Sequence, residues 1–291
     1  MPLHTVARDC LYVNWAVPVD IAPGLPSPLR YEVRPLAGED WILVTALFFR
    51  FVGLRSHAFP WARLSYPQLS LRLHVLDGDD VASVLFMRMM APLWVAPAAR
   101  WLGRQPVAPA RFEFPPGSTS PEDVAGERRW RVVERGEISI HGRLGSPGPG
   151  PGPDFGNWRR VVDYVRRRSR GYVLFDGGVR RVRRHQTAID PVPMGVEVDS
   201  ASLLDAAFPG ADPGLWNQPH SAWLCPEIPV TFELGERQIV PRTSPRRSLA
   251  AVGDSYWSGG LDAPRNAPLD MVPVAGATPD PTRVCGASGG G

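Results

Sequence analysis

The sequence contains no lysine: all 32 basic residues among its 291 are arginine. This absence excludes one class of chemistry. A Schiff base needs an amine that can lose its proton, whereas a guanidinium stays charged at physiological pH. Unless the N-terminal amine takes part, we therefore do not expect the chain to catalyse a reaction through an imine.

Cysteine is also scarce, with Cys10, Cys225 and Cys285 far apart in the chain. Because no CxxC pair and no zinc-like His/Cys spacing occurs, neither a disulfide framework nor a metal site is expected. The apolar runs are short, and none approaches the ~20 residues that cross a bilayer. Since no signal-peptide pattern is visible either, we expect a cytoplasmic protein with no membrane contact.

Phosphate-binding glycine signatures are missing as well, because neither a Walker A nor a Rossmann pattern occurs. We therefore expect no nucleotide and no other cofactor. The sequence leaves the oligomeric state open, and a homo-oligomer is compatible with it.

Positive charge is concentrated in one stretch. Residues 128–184 carry 15 arginines against five acids, although the formal net charge of the chain is only +3. The arginine runs within 159–184 are of a kind that grips phosphates or an acidic partner. They lack the aromatic interleaving of RNA-binding motifs, a zinc finger and a clear helix-turn-helix. Nucleic-acid binding is therefore the least favoured hypothesis for this chain.

Strand patterns dominate the chain. "YEVRPL" and "WILVTALFFRFVGLR" are rich in branched and aromatic residues, which favours strands. "PQLSLRLHVLDGDDVASVLFMRMM" predicts a hairpin that turns at Asp77-Gly78, and "GYVLFDGGVRRVRRHQT" predicts a second hairpin. "IPVTFELGERQIV" predicts a last strand.

Helices are few in the prediction. A short helix is expected within "APLWVAPAARWLGRQP", a second one after an N-cap at Asn157, and a third one after Ser200. Together the patterns predict an α+β fold that is mainly antiparallel β, with a barrel-like sheet and a few peripheral helices. We expect a single domain over residues 1–240, with a Pro/Gly connector at 145–154 inside it. Residues 241–291 are predicted to form a mostly disordered tail.

The strand "YPQLSLRLHVL" carries the most informative alternation. Leu69, Leu71, Leu73 and Val75 share one face, and the polar residues share the other. In the commoner arrangement the polar face of such a strand is wet. In the alternative the polar face lies inside a barrel, where an arginine can fork onto a carboxylate. Periodicity alone does not separate the two arrangements. The polar residues are Gln68, Ser70, Arg72 and His74.

Two further residues are candidates for a site. Arg50 lies in a strand otherwise short of polar residues, so it either reaches outward from a strand end or is paired and buried. His185 ends the second hairpin, where a histidine is more often structural than catalytic. In that strand Arg181, Arg183 and His185 are predicted on one face, and Arg184 on the other.

Several of these motifs resemble those of the uncharacterised YqjF-like proteins, known as domain of unknown function 2071, in the acetoacetate decarboxylase-like superfamily. "FFRFVGLR" is similar to the family's F-R-x-x-G-x-R, and "PQLSLR" to its P-E-L-N-x-R. The later helix and hairpin resemble a family segment that ends in a histidine, here His185. The resemblance covers about residues 10–235. The matching positions in the two motifs are Arg50, Gly53, Arg55, Pro67, Leu69 and Arg72.

The resemblance implies a barrel-like fold with a central cavity, but this chain departs from the family pattern. Gln68 stands where the family has glutamate, and Ser70 stands where it has asparagine. The superfamily's classical decarboxylases use a lysine imine, which this chain cannot form.

The leading hypothesis is therefore a barrel that binds a small organic anion or carbonyl compound without Schiff-base chemistry. Arg72 would be the anion clamp, and Gln68 and Ser70 would orient the ligand. Arg50 would contribute less, and His185 would act as an acid or base if a reaction occurs. The sequence leaves open whether the protein is an enzyme.

The first rival hypothesis is a non-catalytic structural or binding protein whose interior is filled by side chains. The second is a nucleic-acid or acidic-partner binder that uses residues 159–184.

Overall fold

The computed structural model describes residues 2–36, 38–57, 60–103, 106–116, 126–144, 155–166, 168–175, 178–186 and 191–239. The predicted connector at 145–154 and the predicted tail at 241–291 lie outside these described residues. The strands are β1 (Pro2–Pro18), β2 (Arg30–Tyr31), β3 (Arg34–Leu36), β4 (Glu39–Ser56), β5 (Leu64–Leu76), β6 (Ala82–Pro92), β7 (Val107–Glu113), β8 (Glu127–Val133), β9 (Glu137–Leu144), β10 (Arg170–Phe175), β11 (Gly178–Gln186), β12 (Val192–Ser200) and β13 (Ser221–Ile239). The α-helices are α1 (Ala96–Gly103), α2 (Trp158–Arg166) and α3 (Ser202–Ala207), and short 3-10 helices span Val19–Ile21 and Pro213–Asn217.

Strand pairing closes the sheet on itself twice. Five strands in the order β13-β1-β4-β5-β6 are hydrogen-bonded to one another, and we call them the central wall. β10 and β11 connect β6 back to β13 and complete a seven-stranded ring. β7, β8, β9 and β12 connect the same two strands by another route, which gives a nine-stranded ring. The predicted α+β fold with mainly antiparallel strands is confirmed.

The central wall separates two packed interiors. On what we call the α3 side, the wall faces β7, β8, β9, β12 and α3 around a core that includes Trp15 and Trp130. On the α2 side, it faces β10, β11, α1 and α2 around a core that includes Tyr12, Tyr164 and Trp223. Because successive side chains of a strand point to opposite faces, every wall strand contributes to both interiors.

Both predicted hairpins are confirmed. β5 and β6 pair antiparallel around the Asp77 turn, and β10 and β11 pair antiparallel. The Asp77 carboxylate organises its turn by accepting hydrogen bonds from the backbone N–H groups of Asp79 and Val81, each at 3.0 Å. It also accepts from Arg170 at 2.7 Å and from Tyr172 at 3.1 Å. The turn is thereby tied to β10.

The predicted N-cap of α2 is also confirmed. The Asn157 side chain accepts a hydrogen bond from the backbone N–H of Arg160 at 3.1 Å, which satisfies one of the free donors of the first turn. The helix then buries Val161 and Tyr164 on the α2 side of the wall. In the part of the chain that the structure describes, no helix is long and apolar enough to cross a membrane.

A β-bulge in β1 decides which residues of that strand reach the α2 side. β1 has one residue more than β4 between Arg8 and Leu11, and Asp9 adopts a left-handed conformation with φ 51°. Asp is one of the few non-glycine residues that enter this region readily. The extra residue shifts the alternation, so that both Ala7 before it and Cys10 after it lie on the α2 side.

Candidate functional site

Two arginines from different strands are buried on the α2 side of the wall. Arg72 of β5 is 7% exposed and Arg184 of β11 is 8% exposed. Burial lowers the pKa of Arg72 to about 10, and the positive charge of Arg184 is the second cause of that shift. Burial also lowers the pKa of Arg184. The two guanidiniums therefore lie in one poorly solvated region, where the charge of Arg184 makes the charge of Arg72 less favourable.

The contacts of this arginine pair are with neutral groups. The Nε of Arg72 donates to the Ser70 hydroxyl at 3.1 Å, and its guanidinium carbon lies 5.2 Å from the Phe86 ring centroid. Arg184 donates to the backbone carbonyl of Arg168 at 2.9 Å. Among the residues that the structure describes, no carboxylate lies within 4 Å of either guanidinium. Buried charges are normally paired, so this pair presents two cationic groups suited to an anion.

Neutral hydrogen-bonding side chains surround the arginine pair. Cys10 and Cys225 are register partners on β1 and β13, and both are buried free thiols. Burial raises the pKa of Cys10 well above its ordinary value, and it raises the pKa of Tyr12 as well. At neutral pH these groups keep their protons, so they do not neutralise the arginines. They offer donors beside a cationic centre.

A third buried arginine next to the pair is compensated, in contrast to the pair itself. Arg168 follows α2, is 1% exposed, and donates hydrogen bonds to the Glu32 carboxylate and to the backbone carbonyl of Tyr164. Its guanidinium carbon stacks 3.6 Å from the Tyr164 ring centroid. Arg168 therefore serves to anchor the end of α2, and its own charge is balanced.

A chain of hydrogen bonds crosses the wall strands beside the arginine pair. The Asn14 side-chain amide donates to the backbone carbonyl and the hydroxyl of Ser221, at 3.2 and 3.1 Å. The Thr45 hydroxyl donates to Asn14 Oδ1 at 2.6 Å and lies 2.9 Å from His74 Nε2. The His74 ring stacks on Tyr164 of α2, with centroids 5.2 Å apart. This chain links β13, β1, β4 and β5 to the helix that covers them.

The structure brings three of the predicted site residues together on one buried face. Gln68, Ser70 and Arg72 are 8%, 0% and 7% exposed, so the interpretation of a wet polar face on β5 is wrong. His74, on the same face, is buried with them. The ligand-binding roles given to these residues remain predictions.

The other two predicted site residues lie elsewhere. Arg50 belongs to the face of β4 that points to the α3 side, where it donates to the Pro115 carbonyl at 2.7 Å and lies 5.4 Å from the Phe114 ring centroid. His185 lies on the outer face of β11 with its side chain 62% exposed, 3.7 Å from a Glu233 carboxylate oxygen. A catalytic role for His185 stays a prediction, and its exposed position gives that role no support.

Sequence reasoning did not single out the second arginine or the hydrogen-bond chain. Alternation places Arg184 on the face of its strand opposite to His185, and this was the signal available for it. Asn14, Thr45 and Ser221 come from three strands far apart in sequence, so no local pattern marks them. In the described part of the chain, no group of three or more His, Cys, Asp or Glu side chains is arranged to hold a metal ion.

Comparison with solved structures shows the fold. The enduracididine biosynthesis enzyme MppR, complexed with the condensation product of pyruvate and imidazole 4-carboxaldehyde, aligns with a TM-score of 0.52 and 11% identity over 84% of this chain and 91% of that chain. MppR complexed with pyruvate aligns with a TM-score of 0.50 and 11% identity over 81% and 90% of the two chains. An acetoacetate decarboxylase-like enzyme from Sphingomonas wittichii RW1 aligns with a TM-score of 0.47 and 12% identity over 81% and 91%.

Comparison with protein families confirms the resemblance drawn from the motifs. No curated protein matches the chain. The model of the uncharacterized conserved protein family DUF2071 matches residues 4–220, which is well over half of the sequence. The chain therefore belongs to the DUF2071 family.

Proposed function

We propose that this protein binds a small organic anion or carbonyl compound inside the seven-stranded ring, which acts as a barrel around the site. The carrying observation is the arginine pair: Arg72 and Arg184 are buried together with no carboxylate within 4 Å of them in the described part of the chain. A carboxylate placed between the guanidiniums would supply the missing counter-charge. Charge-assisted bonds of this kind are the strong ones in a poorly solvated site.

The ligand's carboxylate is assigned to Arg72, whose planar fork suits two-point binding, with Arg184 as the second cation. Ser70 already contacts Arg72 and fixes its orientation. Gln68 lies one position further along the same face of β5, where its amide supplies both a donor and an acceptor. The bound pyruvate of MppR, which has a similar fold, supports a carbonyl acid as the class of ligand.

The chemistry open to a bound carbonyl compound is restricted by the composition. With no lysine in the chain, a keto group stays a free carbonyl unless the N-terminal amine takes part. The protonated side chains of Tyr12 and Cys10 are donors that interact with the arginine pair. They are suited to hydrogen-bond a carbonyl oxygen and not to attack it. The proposal is therefore for polar recognition of the ligand without a covalent adduct.

The test is binding measured on matched arginine variants. Wild type, Arg72→Met, Arg184→Met and Arg50→Met are screened by thermal shift against keto and hydroxy acids, and hits are titrated by calorimetry. Arg50→Met is the control, because it makes the same substitution in the neighbouring strand on the opposite face of the wall. We expect an acid that stabilises wild type and Arg50→Met but loses about a hundredfold in affinity for Arg72→Met.

Two outcomes would contradict the proposal. If a stabilising acid binds Arg72→Met and Arg184→Met as tightly as wild type, the arginine pair is not the clamp. If no acid stabilises the wild type, the rival hypothesis of an interior filled by side chains is favoured.

A further inference from the structure

The hydrogen-bond chain fixes the proton positions on His74. Asn14 uses its amide N–H groups on Ser221, so its Oδ1 is the atom that accepts from Thr45. A threonine hydroxyl has one proton, and here that proton goes to Asn14. The Thr45 oxygen must therefore accept from His74 Nε2, 2.9 Å away. His74 is the tautomer protonated at Nε2, and its Nδ1 carries a lone pair.

The Nδ1 atom of His74 is buried and has no hydrogen-bond partner within the described residues. The ring as a whole is 2% exposed and is covered on one face by Tyr164. Buried polar atoms in native proteins are almost always satisfied. The structure leaves ten buried side-chain atoms of the described residues without a hydrogen-bond partner, and His74 Nδ1 is the one among them that can only accept, so a ligand with a donor would be stabilised there.

Protonation does not satisfy this atom. Burial lowers the pKa of His74 well below its ordinary value, and the charges of Arg168, Arg72, Arg184 and Arg34 lower it further. The charges named as acting on His74 are thus all positive, and the Glu32 carboxylate nearby is paired with Arg168. His74 stays an uncharged acceptor, so its partner must bring a proton and keep it.

The position of His74 relates this open acceptor to the arginine pair. His74 and Arg72 are two residues apart on the same face of β5, so their Cα atoms are separated by about 7 Å. Thr45, which holds His74, is also the register partner of Arg72 on β4. The charges of Arg72 and Arg184 also act on His74, so the open acceptor and the arginine pair lie in one region.

We propose that the ligand of the arginine pair is a small hydroxy acid, whose carboxylate meets Arg72 and Arg184 and whose hydroxyl donates to His74 Nδ1. This inference rests on the proposed function and specifies its substrate class. A hydroxyl is preferred to an ammonium group as the donor, because the surrounding guanidiniums repel a second cation. The site should therefore bind hydroxy acids more tightly than plain carboxylates, which lack the donor. It should also bind them more tightly than amino acids, whose ammonium group is positively charged.

The experiment compares ligands that differ by the donor alone. Dissociation constants are measured by calorimetry for 3-hydroxybutyrate against butyrate, and for malate against succinate and aspartate. The proteins are wild type, His74→Phe, which keeps a ring against Tyr164, and His74→Gln, which restores an acceptor. We expect wild type to prefer the hydroxy acid by about tenfold. His74→Phe should reduce that preference to less than about twofold with the plain acid unaffected, and His74→Gln should recover part of it.

The possible results distinguish a failure of the His74 inference from a failure of the proposed anion binding. If wild type binds both members of a pair equally, or if the preference survives in His74→Phe, then His74 is not the acceptor, although the arginine pair still binds acids. If neither member binds wild type, the proposed function itself fails. Should His74→Phe not fold, nitrogen-15 spectra of wild-type His74 decide the question. The Nδ1 resonance must move when the hydroxy acid is added and stay in place with the plain acid.

Discussion

The two faces of β5 show how one strand builds two different interiors. Towards the α3 side it contributes Leu69, Leu71, Leu73 and Val75, all at most 1% exposed, to a core of aliphatic and tryptophan side chains. Towards the α2 side it contributes Gln68, Ser70, Arg72 and His74, which are buried nearly as deeply. The first face stabilises the fold by removing apolar surface from water. The second buries polar groups at a cost, and such a cost is typical of a functional site.

The largest expected effect comes from the apolar face. Leu71→Ala should lower the free energy of unfolding by about 2–5 kcal/mol, because it removes buried methyl groups and leaves a cavity in the core. The measurement is urea denaturation followed by circular dichroism. Leu71→Ile is the control and should cost less than about 1.5 kcal/mol. A loss below about 1 kcal/mol for Leu71→Ala would mean that the α3 side is loosely packed.

The neighbouring residue should behave in the opposite way. Arg72→Met removes a buried guanidinium that has no carboxylate within 4 Å in the described chain, so it should raise the free energy of unfolding at pH 7 by about 1–3 kcal/mol. The pKa of Arg72 falls from its usual, much higher value in the unfolded chain to about 10 in the folded chain, chiefly because the group is buried. Wild type therefore carries the full penalty below pH 10, and the penalty is relieved as the pH rises through that value. The difference between wild type and variant, measured by denaturation from pH 7 to pH 11, should narrow above pH 10.

A destabilising Arg72→Met substitution would break this comparison. It would mean that contacts within the protein already compensate the buried charge of Arg72, so that no anionic ligand is needed to do so. The same experiment in the presence of a bound acid should reverse the order of stability, because only the wild type gains from the ligand.

A smaller effect is expected at the turn that joins the two strands of the β5–β6 hairpin. Burial tends to raise the pKa of Asp77, but the hydrogen bonds from Arg170, the backbone of Val81 and Asp79, and Tyr172 outweigh it and lower that pKa. Asp77→Asn should therefore cost about 1–2 kcal/mol at pH 7. Because a lowered carboxyl pKa stabilises the fold above its unfolded value of about 3.9, the difference should disappear as the pH falls below that value. Acid titration of both proteins checks this, and a constant difference down to pH 2 would contradict it.

The smallest effect should come from the outer face of β11. Arg183 is exposed, whereas Arg184 beside it is buried. Arg183→Gln should change the free energy of unfolding by less than about 0.5 kcal/mol.

The same variant tests the hypothesis of nucleic-acid binding through residues 159–184. Gel shifts at low and moderate salt should detect no complex. A complex that weakens steeply with salt and depends on Arg183 would revive that hypothesis.

Much of the fold could be predicted because its signals are local. The alternation in β5, the Asp77 turn and the Asn157 cap each depend on residues within one element and its ends. β1 was harder to predict. It begins at Pro2, in a stretch for which no strand was predicted, and its bulge interrupts the period of two on which strand recognition relies.

The site was only half predictable for a related reason. Alternation separates Arg184 from His185, but it does not say which of the two faces the interior, since that depends on how β11 pairs with β13. Alternation did not locate Arg50 either, because the pairing of β4 turns that residue towards the α3 side, and its binding role stays a prediction. The acceptor on His74 depends on three strands meeting, and its tautomer follows only from the complete chain of hydrogen bonds.

The single extra residue at Asp9 has a consequence for engineering the amino terminus. The bulge shifts the alternation of side chains by one residue. Before Asp9 an odd-numbered residue, Ala7, points to the α2 side, and after it an even-numbered residue, Cys10, does so. Deleting one residue at this point would exchange the inward-facing and outward-facing side chains of the segment from Pro2 to Arg8, even though no residue of the proposed binding site had been altered. Trimming or fusing the chain at its start should therefore preserve the spacing ahead of Cys10, and spacing matters there more than side-chain identity.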